Sequence, residues 1–122
     1  MTYSFEQLAT MNEPMWFCLK AQPKREHIAA VGLRRQQNIP CFSPRIRFQK
    51  MTRRGTVWFM EAMFPGYLFA RFFYLQERRK AEHSPGIQSI VSFGEQIAVI
   101  EPEAIASLQK TAGEDEIVTI DP

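Results

Sequence analysis

The sequence predicts an α+β domain, an antiparallel sheet with helices packed on it, and three observations lead to that class. Strand-like runs follow one another between residues 41 and 73 with no helical stretch between them, so hairpins must join them. Helical patterns flank that block, from Pro23 to Asn38 and again from Pro102 onward. The resulting order of strand, helix, strands, short helix, strands and helix does not suit a doubly wound parallel sheet, which needs regular crossover helices.

Each element has its own reason. Residues 1–14 are polar and weakly patterned, which predicts a flexible leader ahead of a domain spanning 15–112. Met15-Trp16-Phe17-Cys18-Leu19 is an apolar run of strand length, closed by Pro23. Proline suits the first turn of a helix, where its missing N–H leaves nothing unpaired. In the helix that follows, Ile28, Ala29, Gly32 and Leu33 share one face and are expected to point inward, and Asn38 and Pro40 end the run.

Phe42, Pro44, Ile46 and Phe48 then alternate with Ser43, Arg45, Arg47 and Gln49, the period of a strand with one polar face. Pro44 has no N–H for a ladder, so an edge strand is predicted. Lys50 to Gly55 reads as a hairpin tip and Val57 to Phe64 as the returning strand. Tyr67 to Phe73 continues extended after the Pro65-Gly66 break. Gln76 to Ser84 predicts one or two helical turns, stopped by Pro85-Gly86, and two short strands follow around Gly94. Pro102 opens a last helix with Ile105 and Leu108 inward, and Glu101 and Glu103 suit its positive N-terminal end. From Gly113 the chain turns acidic, at Glu114-Asp115-Glu116.

At 122 residues, with 45% apolar and 23% charged residues, the chain has the composition of an ordinary globular domain with a real core. Ten Phe, two Trp and three Tyr exceed the needs of that core and point to aromatic side chains on a binding surface. No apolar run approaches the ~20 residues of a membrane span. The first fourteen residues lack the apolar centre of a signal peptide, so a cytoplasmic chain with Cys18 and Cys41 as reduced, buried thiols is expected.

Residues for catalysis are not assembled. His27, His83, Cys18 and Cys41 show none of the paired spacings of a metal site, the six glycines are scattered singly, and no nucleophile elbow occurs. Glu61 lies in an apolar strand and reads as an outward-facing residue, so neither an enzyme nor a cofactor is expected. Binding is better supported. Five of the ten residues from Arg45 to Arg54 are basic, including Arg53 and Arg54 at the tip. Lys24, Arg25, His27, Arg34 and Arg35 line one flank of the first helix or its entry. Both clusters suit phosphate backbones or an acidic protein, and both equally suit a solvated charged face.

The string Phe64-Pro65-Gly66-Tyr67-Leu68-Phe69 resembles the signature of the N-terminal domain of the NusG family. Trp16-Phe17, Leu33-Arg34-Arg35-Gln36, Cys41-Phe42-Ser43-Pro44, Gly86-Ile87, Ile90-Val91-Ser92-Phe93-Gly94 and Ala98-Val99-Ile100 match in order across roughly residues 15–110. The resemblance implies a four-stranded antiparallel sheet flanked by helices that docks, as a monomer, on RNA polymerase. It implies an apolar depression for the β′ clamp helices and an approach to the β-subunit lobe, favouring processive elongation. The contact positions it implies are Phe64, Pro65, Gly66, Tyr67, Phe69, Ile87, Ile90, Phe93 and Leu108. It also implies a KOW-type barrel after a linker, and residues 113–122 read as the start of that linker.

Two departures stand out. Lys20 occupies a place expected to be apolar, and Gln76 to Lys80 lacks the His-Thr-Thr run used by RfaH for the lobe. The Phe-Pro-Gly-Tyr-Leu-Phe and Ser-Phe-Gly-Glu strings nonetheless look closer to RfaH-like antiterminators, in which a basic first helix reads non-template DNA. The competing expectation is a free-standing nucleic-acid-binding module that uses the basic hairpin and first helix.

Overall fold

The computed structural model describes residues 1–120 and has the α+β architecture. Its central strand is β2 (Met15–Ala21), which pairs antiparallel with β6 (Tyr67–Phe72) on one side. On the other side, the start of β2 meets β9 (Gln96–Ile100) and its end meets β7 (Ile87–Ile90). This four-strand centre is extended at its margins by β3 (Cys41–Phe42) on β6, and by β1 (Thr2–Ser4) and β8 (Ser92–Phe93) on β9.

The leader expected over residues 1–14 is ordered structure. After β1, helix α1 (Phe5–Thr10) starts at a capping box in which Ser4 and Gln7 satisfy each other's backbone N–H groups. Leu8 of this helix is fully buried. A single leucine is too weak a periodic signal to mark a helix of six residues, and the cap does the local work instead.

Two cores form because β2 is buried on both faces. Phe17, Leu19 and Ala21 point to one face, with Leu68, Ala70, Phe72, Ile87, Ile90 and Val99. Helices α1, α2 (Glu26–Gln36) and α3 (Tyr74–Glu82) contribute their buried residues to that core. Phe17 is its aromatic centre, with ring centroids 4.5 Å from Phe72 and 5.4 Å from Tyr74. Trp16 and Cys18 point the other way, into a second core with Phe42, Phe69 and Ile100, closed by Ile105 and Leu108 of α4 (Pro102–Ala112).

The strand expected from Phe42 to Gln49 divides in two. Cys41 and Phe42 stay in the main sheet, and after Pro44 the chain leaves it as β4 (Arg45–Thr52), which returns as β5 (Gly55–Ala62). These two form a separate sheet with β10 (Ile117–Thr119), which lies parallel to β4. The linker expected from Gly113 is therefore in part a docked strand. Glu116 ties it down, pairing with Arg34 and accepting the Ser43 N–H at 3.2 Å.

Both cysteines are free thiols, Cys41 buried and Cys18 half-buried, and burial pushes each up to about 11. Cys41 donates to the Ala30 carbonyl at 3.2 Å. Iodoacetamide at neutral pH is therefore expected to alkylate the native chain roughly tenfold or more slowly than the urea-unfolded chain, because the thiolate is the nucleophile. Equal rates would contradict the burial. Among the described residues no helix is long and apolar enough to cross a membrane.

Candidate functional site: an aromatic face beside a proline-glycine turn

Phe64-Pro65-Gly66-Tyr67 is a tight turn closed by the Tyr67 N–H donating to the Phe64 carbonyl at 2.9 Å. Proline at the second position and glycine at the third, with φ of 85°, are the residues a type II turn requires. Two further bonds fix the turn to the body. The Gly66 carbonyl accepts from Ala21 N at 2.8 Å, and the Gly66 N–H donates to the Glu26 carboxylate at 2.8 Å. Glu26 is buried at the start of α2, and it went unmarked in the sequence because an acidic residue in a first helical turn is ordinary.

The turn delivers Tyr67 to the first position of β6, opposite Lys20, which is opposite Ser89 in turn. Directly paired residues share a face, so Tyr67, Lys20 and Ser89 form one row across three strands. Phe93 belongs to the same side, because it pairs with Gln96, which alternates with Ile100 opposite Trp16. Phe93 is 67% exposed and Tyr67 40% exposed. Lys20, also exposed, occupies the position in that row where an apolar residue was expected, so this side of the sheet carries two exposed aromatic side chains and one cation.

Other expected contact residues lie elsewhere. Ile87 and Ile90 are buried in the core on the opposite side of the sheet, beneath the helices, because they pair with Ala21 and Leu19, which face that way. They do not share the side of Tyr67 and Phe93. Phe69 is buried in the second core, edge-on to Phe64 at 5.3 Å and stacked on Phe42 at 6.4 Å. Phe64 and Leu108 are half-buried around it, in the second core that lies on the same side of the sheet as Tyr67 and Lys20. Pro65 is exposed at the turn.

The basic residues are not one surface. Lys24 and Arg25 precede α2 rather than lying on it, Lys24 with φ of 64° and Arg25 as the N-cap. Arg35 and His27 are exposed. Partial desolvation, followed by the nearby Arg45 and Arg34, lowers the His27 pKa below its ordinary value, which favours the neutral imidazole. Arg34 is engaged by Glu116 and by the Cys41 carbonyl at 2.9 Å. It lines a recess of about 550 Å³ with Trp16, His27, Arg71, Gln109 and Glu116, away from the exposed aromatics. Arg53 and Arg54 form the exposed tip of the β4–β5 hairpin, where the Thr52 hydroxyl accepts from Arg54 N and donates to the Gly55 carbonyl.

Comparison with known proteins places this geometry. The family described as transcription termination factor nusG matches residues 14–109. A search of curated proteins gave no match. Among solved structures, that described as "Domain interaction in Thermotoga maritima NusG" is similar in fold, with a TM-score of 0.58 at 15% identity over 80% of this chain. The match spans 56% of that protein's length, so this chain corresponds to about half of it. Colinear motifs, a family match over most of the chain and a shared fold give one conclusion: the chain belongs to the NusG family of transcription factors and has the fold of its N-terminal domain.

Proposed function

We propose that this domain binds RNA polymerase through the face around Tyr67 and Phe93 and favours processive elongation. The observation that carries the reading is two exposed aromatic side chains on one side of a well-packed sheet, each placed beside a glycine-bearing turn. Rigid aromatic side chains lose little entropy on binding and make effective anchors for an apolar helical partner. The β′ clamp helices, a coiled coil, are such a partner. Lys20 within the row supplies a cation for a carboxylate at the rim.

The finer reading is a specialised, RfaH-like antitermination factor acting as a cytoplasmic monomer, supported by the Phe-Pro-Gly-Tyr-Leu-Phe and Ser-Phe-Gly-Glu strings. The exposed Lys24, Arg25 and Arg35 support an approach to non-template DNA.

Capture of core RNA polymerase tests the docking face. Tyr67→Ala and Phe93→Ala are each expected to weaken binding about tenfold, with folding stability held within about 0.5 kcal/mol because both side chains are at the surface. Full polymerase binding by both variants would sink the assignment. A polar substitution at Gln88, exposed on β7, serves as the neutral control.

A further inference from the structure

Strand β5 is the open edge of the second sheet. β4 lies between β10 and β5, and among the described residues β5 has no second neighbour. The ladder fixes where its backbone groups point. The Arg45 N–H donates to the Glu116 carbonyl and the Arg47 carbonyl accepts from Ile120 N, so the odd residues of β4 face β10 and the even ones face β5. Ile46, Phe48 and Lys50 are opposite Glu61, Phe59 and Val57, and these pairs carry the β4–β5 bonds. The Met63 N–H, donating to the Pro44 carbonyl at 2.9 Å, continues the same series. The N–H and C=O groups of Thr56, Trp58 and Met60 are therefore aimed outward, at the open edge.

Edges are normally blunted against pairing with other chains. The margins β1, β3 and β8 of the main sheet are two or three residues long. By contrast, β5 runs for eight residues with no proline, no basic residue and no shift of register, and Glu61 is its single charge. Val57, Trp58, Phe59 and Met60 are exposed along it, Trp58 at 47%.

The two faces of this edge select the kind of strand that fits. Trp58 and Met60 share one face with Arg47, whose guanidinium lies 4.9 Å from the Trp58 ring centre. Val57 and Phe59 share the other with Ile46 and Phe48, and Phe48 stacks on Phe59 at 6.1 Å. On that face Lys50 and Glu61 offset each other in charge. A strand laid against β5 continues both faces about 4.8 Å further out, so carboxylates suit its Arg47 side and apolar side chains its Phe59 side. Residues 45–62 hold five basic residues and one acidic residue, a net +4, which opposes pairing with the same edge of a second copy. A peptide backbone also supplies both donors and acceptors to match the outward groups, where a phosphate backbone supplies acceptors alone.

We propose that the β5 edge accepts an extended segment of a partner protein, in which acidic and apolar side chains alternate, as a fourth strand of the β10–β4–β5 sheet. The site is separate from the Tyr67–Phe93 face and does not depend on polymerase docking.

Fluorescence anisotropy of a labelled, end-blocked peptide of about eight residues alternating valine and glutamate, titrated with the whole chain at about 50 mM salt, tests it. Met60→Pro removes one outward N–H and no ladder bond, and is expected to weaken binding about tenfold. Met60→Thr keeps that N–H and should stay within about threefold of the parent. Undiminished protection of the Phe59 amide from exchange shows that the proline variant keeps its ribbon. Arg47→Glu should reverse the charge preference, binding the glutamate peptide about tenfold more weakly and the matching valine–lysine peptide more tightly than the parent does. No binding of the glutamate peptide, equal binding of the lysine peptide by the parent, or an unchanged affinity of Met60→Pro would overturn the proposal. A dimer of the chain in sedimentation that Met60→Pro dissolves would also overturn it, since the occupant would then be a second copy.

Discussion

Gly86→Ala is expected to destabilise the domain by about 3 kcal/mol, the largest single effect of any surface-loop substitution considered for this chain. Gly86 ends the Pro85-Gly86 stop with φ of 89°, a conformation that costs a residue with a side chain roughly 1–2 kcal/mol. A second cost is steric. A Cβ built there stands 3.0 Å from the Ala29 Cβ and 3.5 Å from its Cα, and Ala29 is fully buried on α2. Backbone on both sides must move, and the Gly86 carbonyl, which accepts from Gln22 N at 2.9 Å, moves with it. Overpacking of this kind adds about 1–3 kcal/mol. Urea unfolding should show a lowered midpoint with an unchanged slope. Gly55→Ala is the comparison, since Gly55 has φ of 101° and open space around its Cβ. It should cost only the strain, and equal losses at the two sites would remove the steric part of the account.

Glu26→Ala is expected to cost about 2 kcal/mol and also to weaken polymerase capture, although Glu26 is buried. Its carboxylate accepts the Gly66 N–H, so removing it frees the turn that carries Tyr67. Glu26→Gln keeps an oxygen acceptor and should restore at least half of both losses. Amide exchange at Gly66 separates this role from general destabilisation, because that proton should lose protection before the amides of β2 do. Stability within about 0.5 kcal/mol of the parent for Glu26→Ala would show the contact to be dispensable.

Much of the fold was legible from short-range signals. Pro102 at the head of α4, with Glu103 in its first turn, and the Pro65-Gly66 break each state a backbone geometry that few residues adopt. Alternation in Arg45–Gln49 likewise announced a strand with a polar side. Helix α2 shows where such reasoning stops. Hydrophobicity favours Ile28, Ala29, Gly32 and Leu33 as its inner face, yet Ile28 is 59% exposed and the buried stripe is Glu26, Ala29, Ala30 and Leu33. Those positions also have helical spacing, and the bond from Gly66 to Glu26 favours that face over its neighbour. The rotation is set by a residue forty positions away, which no local window contains.

The exposed aromatic face divides in the same way. By itself the sequence determined the family, the α+β class and the tight turn ahead of Tyr67, because these rest on residue types whose backbone preferences are local. Only the tertiary structure decided that Tyr67, Lys20 and Phe93 share a side while Ile87 and Ile90 face the opposite core. Strand pairing sets that outcome, and a shift of one residue in register would exchange the two sides. The same holds for the basic residues. Arg34 and Arg35 are equal in sequence, and it is the return of Glu116 beside α2 that occupies one and leaves the other exposed.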